Sequence, residues 1–208
     1  MSPEQFILDN TRLMAPPLVP EVKLHLATEV VPLWRKTEEE LAAEGIPPPY
    51  WAFAWAGGQA LARYVLDNPD TVRGKAVLDF GSGSGLVAIA AAKAEARVLA
   101  ADIDTFAAAA IALNAKANGA QVSVTTDDVI GRTGSWQTIL VGDMCYERPL
   151  AERLLAWLRD SGALVLLGDP GRSYFPKSGV ERLATYNVQT TRELEDREIR
   201  ETGVYRLV

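Results

Sequence analysis

The chain has one cysteine and one histidine in 208 residues. Cys145 has no second cysteine to pair with, and Cys145 with His25 cannot assemble a Cys/His metal site, so disulfide frameworks and structural zinc are excluded. With no histidine or basic residue adjoining it, Cys145 reads as a small buried hydrophobe and not as a nucleophile. Also missing is any run of about 18 apolar residues, the length needed to cross a bilayer as a helix. The opening stretch carries Glu4 early and lacks a basic region ahead of an apolar one, so a cytoplasmic chain without a membrane association is expected. Positive charge is in deficit. With 21 Lys and Arg against 27 Asp and Glu, the net charge is −6, which argues against nucleic acid or an acidic membrane as partner. Arg192, Arg197 and Arg200 are the clustered basic candidates.

What remains is the composition of an ordinary globular protein, 48% hydrophobic and 23% charged. The length suits a single domain over 1–208, with a helical and aromatic segment at 1–68 and a core at 75–208. In the first part, helices are expected over 6–14 and 37–44, the latter with Thr37 as cap and Glu40 completing a capping box. Gly45 and the prolines 47–49 then lead into the aromatic run Tyr50-Trp51-Ala52-Phe53-Ala54-Trp55, followed by a helix over 58–66.

From Lys75 onward, apolar strands alternate with helical stretches, the pattern of a parallel sheet covered on both faces. Strands are expected at 76–80, 97–101, 122–125, 138–142 and 163–167, with helices at 85–94, 105–118 and 149–160. A helix near 179–186 precedes two alternating segments, 188–195 and 198–208, read as an antiparallel pair turning near Asp196. Five parallel strands and this pair give a Rossmann-like, seven-β-strand, mostly parallel sheet with an antiparallel C-terminal pair and a helical N-terminal extension.

Val77-Leu78-Asp79-Phe80-Gly81-Ser82-Gly83-Ser84-Gly85 runs from a buried strand through a glycine-rich turn into a helix. Such a turn presents free amides and the positive end of a helix dipole at the carboxyl edge of the sheet. Asp102 closes the next strand, 23 residues past Asp79, where it can accept from both hydroxyls of a ribose. A dinucleotide fingerprint needs a third glycine where this chain has Leu86. A carboxylate at Asp79 suits a cationic ammonium and repels a pyrophosphate. The combination favours S-adenosylmethionine (AdoMet), with Asp79, Gly81, Gly83, Gly85 and Asp102 as its site. Asp128, after the third strand, has two readings: it accepts from the adenine amino group, or it caps a turn. Trp55 and Trp136 are candidate pocket walls, Trp136 being the one that also suits a plain core position.

The runs 51–64, 77–85, Ala101-Asp102-Ile103-Asp104, Gly142-Asp143-Met144-Cys145-Tyr146 and Gly168-Asp169-Pro170-Gly171-Arg172 together resemble the electron transfer flavoprotein β-subunit lysine methyltransferases, over nearly the whole chain. The resemblance implies an AdoMet-dependent protein-lysine N-methyltransferase. It implies that Asp143 and Tyr146, in an acidic-x-x-aromatic motif, serve lysine binding and catalysis. It maps Trp55, Gly81, Gly83, Asp102 and Asp128 onto cofactor contacts and names the flavoprotein β-subunit as substrate. Two departures stand out: Ala56 replaces a proline before the paired glycines, and Arg148-Pro149 follows the aromatic motif where an acidic residue is usual. Trp51, with Trp55 and Tyr146, is expected to pack along the lysine stem. A nucleic-acid or glutamine methyltransferase would carry Asn/Asp-Pro-Pro-aromatic after the fourth strand, and both prolines are missing here. A small-molecule methyltransferase would want a larger closing insertion, and a non-catalytic AdoMet-fold module a damaged loop.

Overall fold

The computed structural model describes residues 2–28, 48–190 and 199–208. The expected helix at 37–44 and the turn at Asp196 lie outside these residues, as do Arg192 and Arg197. Seven strands form one sheet: β3 (Ala76–Phe80), β4 (Arg97–Ala101), β5 (Val122–Thr125), β6 (Thr138–Gly142), β7 (Leu164–Asp169), β8 (Val180–Gln189) and β9 (Ile199–Leu207). Their order is β5-β4-β3-β6-β7-β9-β8. The first five are parallel and β9 and β8 antiparallel, the architecture expected from the sequence, but the first strand of the antiparallel pair is Val180–Gln189 and not 188–195, of which 191–195 lie outside the described residues.

Strand alternation sets which residues meet which layer. Val77, Leu140 and Leu166 face one core cluster, together with α2 (Ala56–Asp67), α3 (Leu86–Lys93) and part of α4 (Thr105–Ala117). Leu78, Phe80, Ile139, Val141, Val165 and Leu167 face the other, under α5 (Arg148–Asp160). Ala151, Leu154, Leu155 and Leu158 are the buried stripe of α5, at the helical spacing of one apolar face. In α3 every residue from Leu86 to Ala91 is buried, and its alanines let the helix lie close on the sheet.

At the N-terminus, α1 (Pro3–Asn10) starts from Ser2, whose side chain accepts from the Gln5 amide at 3.3 Å. The helix expected over 6–14 ends four residues early, because Arg12–Met14 (β1) pairs antiparallel with Leu24–Leu26 (β2). Asn114 of α4 holds this ribbon down: its Oδ1 accepts from the His25 amide at 2.7 Å and its Nδ2 donates to the Ser84 carbonyl at 2.8 Å.

The expected helix at 179–186 is a strand. Val180–Gln189 pairs with β9 along its length, with an irregularity between Arg182 and Ala184, and Val180, Thr185, Tyr186 and Val188 are residues that suit a pleated surface. Cross-strand pairing with β9 decides the conformation of this segment.

Candidate active site

The carboxyl ends of β3, β4 and β6 open onto a cavity of about 530 Å³, a size typical of small-molecule sites. Its walls include Phe80, Gly81, Gly83, Asp102, Ile103, Asp128, Asp143, Met144 and Tyr146, with Tyr50, Trp51 and Trp55 from the aromatic run.

Gly81, Gly83 and Gly85 all have positive φ, at 62°, 54° and 81°, so the loop takes a path that side-chain-bearing residues rarely adopt. A Cβ on Gly81 would run into the Met144 side chain, which keeps this part of the cavity floor bare. Asp102 Oδ2 accepts from the Gly83 amide at 2.9 Å and Oδ1 from the Asp104 amide at 3.1 Å. Burial pushes its carboxyl above the usual range. These features fit AdoMet: a cradle of bare backbone, with a carboxylate at the next strand end.

Two expected cofactor residues lie behind the wall. Asp79 is 1% exposed, and its Oδ2 accepts from Ser82 Oγ at 2.5 Å and from the Ala88 amide at 3.0 Å. It ties the loop to α3, and burial pushes its carboxyl up to about 7. Its expected contact with an ammonium is therefore corrected: alternation along β3 turns Asp79 inward with Val77, and it is not a cavity residue. Gly85 is likewise absent from the lining and serves as the left-handed N-cap of α3, packed on Ile111.

Asp128 lies at the rim, where its Oδ1 accepts from the Ile130 amide at 3.0 Å and its Oδ2 pairs with Arg153. The turn-cap reading is observed, and Asp128 also lines the cavity. Trp136 packs edge-on against Trp157, centroids 6.2 Å apart, and belongs to the core under α5. Trp51 is fully buried and stacks on Phe106 at 6.3 Å, so it backs the wall while Tyr50 and Trp55 form its surface. Cys145 is 3% exposed and burial pushes its thiol up to about 12, which removes any nucleophilic role.

Asp143 sits at the end of β6 with φ 59°, 8% exposed. Its Oδ2 accepts from the amides of Gly57 and Gly58, in the first turn of α2, the Gly58 bond being 3.1 Å. Its Oδ1 accepts from Arg172 Nε at 2.9 Å and from the other guanidinium nitrogen at 2.7 Å. A helix N-terminus and a forked cation both hold Asp143 as an anion. The Arg172 guanidinium also lies 5.7 Å from the centre of the Trp55 ring. Trp55 Nε1 donates to the Tyr50 carbonyl at 2.9 Å. The Tyr50 ring stands 6.0 Å from both Trp55 and Tyr146. Tyr146 is 45% exposed and its hydroxyl is shifted upward by burial. Tyr50, Trp55 and Tyr146 thus make an aromatic mouth above the cavity, with Asp143 and Arg172 at its inner edge.

Sequence reasoning missed Tyr50 as a mouth residue and Arg172 as the partner of Asp143. The G-D-P-G-R run carried the signal for Arg172, but not its target.

The family model for ribosomal protein L11 methyltransferase matches residues 59–142. An electron transfer flavoprotein beta subunit lysine methyltransferase of Xenopus laevis is 42% identical, over 98% of this chain and 86% of the relative. The Homo sapiens protein of the same name is 40% identical over 85% of this chain and 69% of its own length. Among solved structures, magnesium protoporphyrin IX methyltransferase of Synechocystis with bound S-adenosylhomocysteine superposes with a TM-score of 0.55 at 18% identity, covering 73% of this chain and 81% of that one. That likeness is one of fold. The near-full-length likeness at 42% identity carries more: the chain belongs to the electron transfer flavoprotein beta subunit lysine methyltransferase family.

Proposed function

We propose that this chain transfers methyl groups from AdoMet to lysine side chains of the electron transfer flavoprotein β-subunit. The observation that carries the reading is the 42% identity over 98% of the chain to a relative named for that activity. The aromatic mouth over a glycine-lined cavity supports it.

AdoMet, when bound, supplies an electrophilic methyl group on a sulfonium. Gly81 and Gly83 would leave backbone bare for its approach, Asp102 would offer a carboxylate to its ribose, and Asp128 would accept from its adenine amino group. The protein has to hold a lysine nitrogen in line with the methyl group, which is chiefly positioning. A lysine amine titrates near 10.4, so presenting it neutral at pH 7 costs about 4–5 kcal/mol unless the site lowers that value. Tyr50, Trp55 and Tyr146 form a partly desolvated mouth that favours the neutral amine and packs the apolar stem. The nitrogen lone pair would form the new bond to the methyl carbon as the carbon–sulfur bond breaks and its electron pair returns to sulfur, and the resulting ammonium would lose a proton to solvent through the open mouth. Asp143, held by four donors, is suited to fixing geometry and charge and poorly suited to taking that proton. In this reading Tyr146 touches substrate and Asp143 orients the mouth.

A cytoplasmic setting is part of the same proposal, and cell fractionation tests it. Purified electron transfer flavoprotein, labelled AdoMet and the wild-type chain should yield methyllysine on the β-subunit by mass spectrometry, with Tyr146→Ala strongly reduced. Label appearing in nucleic acid or small molecules, and none on protein, would overturn the lysine reading and leave the AdoMet fold standing.

A further inference from the structure

Asp143 and Asp169 end neighbouring parallel strands, and the Asp143 amide donates to the Gly168 carbonyl at 2.9 Å. Asp169 is 2% exposed. Its Oδ1 accepts from the amides of both Gly171 and Arg172 at 2.7 Å, which folds the 169–172 turn back on itself. Its Oδ2 is buried and has no hydrogen-bond partner among the described residues. That orphan oxygen is the anomaly, because a buried carboxylate oxygen ordinarily has a donor.

The turn it folds carries Arg172, whose guanidinium bridges Asp143 and the Trp55 face. Among the described residues, the charged and titratable groups facing Asp169 are Arg172 on its own turn and Asp143 and Cys145 on the segment after β6. Across the sheet Gly203 of β9 pairs with it, and a glycine brings no such group.

We propose that Asp169 is a positioning residue for methyl transfer: by folding the 169–172 turn it seats Arg172 on Asp143 and Trp55 at the inner edge of the mouth. The inference rests on the lysine reading for its kinetic part. The physical basis is that methyl transfer is chiefly positioning, and the negative charge of Asp169 holds the turn amides, and with them Arg172, more firmly than a neutral acid would. Burial pushes the Asp169 carboxyl up to about 6, which puts loss of that charge inside a measurable pH range.

Asp169→Asn tests this with little change of shape, because the amide oxygen can still accept from Gly171 and Arg172. Steady-state methylation of electron transfer flavoprotein should show kcat lowered about tenfold, with KM for AdoMet within about twofold. The acid limb of kcat near pH 6 should flatten in the variant. A second readout needs no substrate: the Arg172 Nε–H resonance, assigned by its loss in Arg172→Lys, should move with a midpoint near pH 6 in the wild type and stay still in Asp169→Asn. Wild-type kinetics and pH profile in Asp169→Asn, or an Arg172 resonance that titrates equally in both, would overturn the proposal. A wild-type chain that methylates no protein lysine would defeat the functional reading instead, and the resonance would still decide whether Asp169 governs Arg172.

Discussion

Gly57 in α2 and Gly168 at the end of β7 meet backbone to backbone: a Cβ on either would collide with the carbonyl oxygen of the other. A Cβ on Gly57 would also strike the Asp143 carboxylate. This close approach is what lets the first turn of α2 direct its amides at Asp143. Alanine at Gly57 or Gly168 should therefore push α2 away from the sheet, costing about 1–3 kcal/mol of stability and most of the activity. Gly58→Ala is the control, because a Cβ there meets nothing within 4 Å, and its stability should hold or rise by up to about 1 kcal/mol. Urea midpoints of the three variants check this, and equal losses at all three positions would show that the contact is not the cause.

Asp143 combines a left-handed backbone with two sets of donors. Asparagine tolerates that backbone but has a single acceptor oxygen, so it can serve either the α2 amides or Arg172. Alanine serves neither and adds backbone strain of about 1–2 kcal/mol. Asp143→Ala should thus be less stable than Asp143→Asn by at least about 1 kcal/mol, with both variants at least about tenfold lower in kcat/KM. If Asp143 were chiefly a proton acceptor, both variants would lose activity and keep wild-type stability. Denaturant unfolding beside kinetics separates the two roles.

Cys145 provides a negative prediction. It is nearly fully buried, with its thiol pushed up to about 12, so almost no thiolate exists at neutral pH. Iodoacetamide should label native protein far more slowly than urea-unfolded protein, and Cys145→Ala should keep kcat within about twofold. Rapid alkylation with parallel loss of activity would contradict this.

The legible parts of the sequence were those in which local chemistry and tertiary environment agree. The β3 strand, its glycine turn and α3 are one continuous stretch, Ala76 to Lys93, whose apolar run and turn residues each point the same way. Asp102 followed from the same unit repeating once. Asp143 and Arg172 were each visible as motif members, but they lie 29 residues apart and meet because β6 and β7 pair at Gly142 and Gly168. Only the sheet register brings them together. The inward turn of Asp79 follows from counting along β3, since residues two apart share a face and Val77 is core. At 179–186 and 12–14, strand pairing replaces the expected helix, a long-range effect that local pattern does not carry.

Asp79 makes stability depend on pH in a direction opposite to that of an ion-paired carboxylate. Burial raises its carboxyl to about 7, with the Asp102 charge adding to the rise and the bonds from Ser82 and Ala88 opposing it, while an unfolded carboxyl titrates near 3.9. Between these values the folded chain holds the proton and the unfolded chain does not. The stability Asp79 contributes is therefore present below about pH 4, falls as pH rises, and is fully lost above about pH 7. Asp79→Asn removes the titration, and its amide oxygen can keep both the Ser82 and the Ala88 bonds. The variant without cofactor should melt several degrees above wild type at pH 8, at about 2–4 °C per kcal/mol for a chain of this size, and the gap should close toward pH 5. Thermal melts at the two pH values decide it: a variant less stable than wild type at pH 8 would mean that the folded protein holds Asp79 as a stabilised anion.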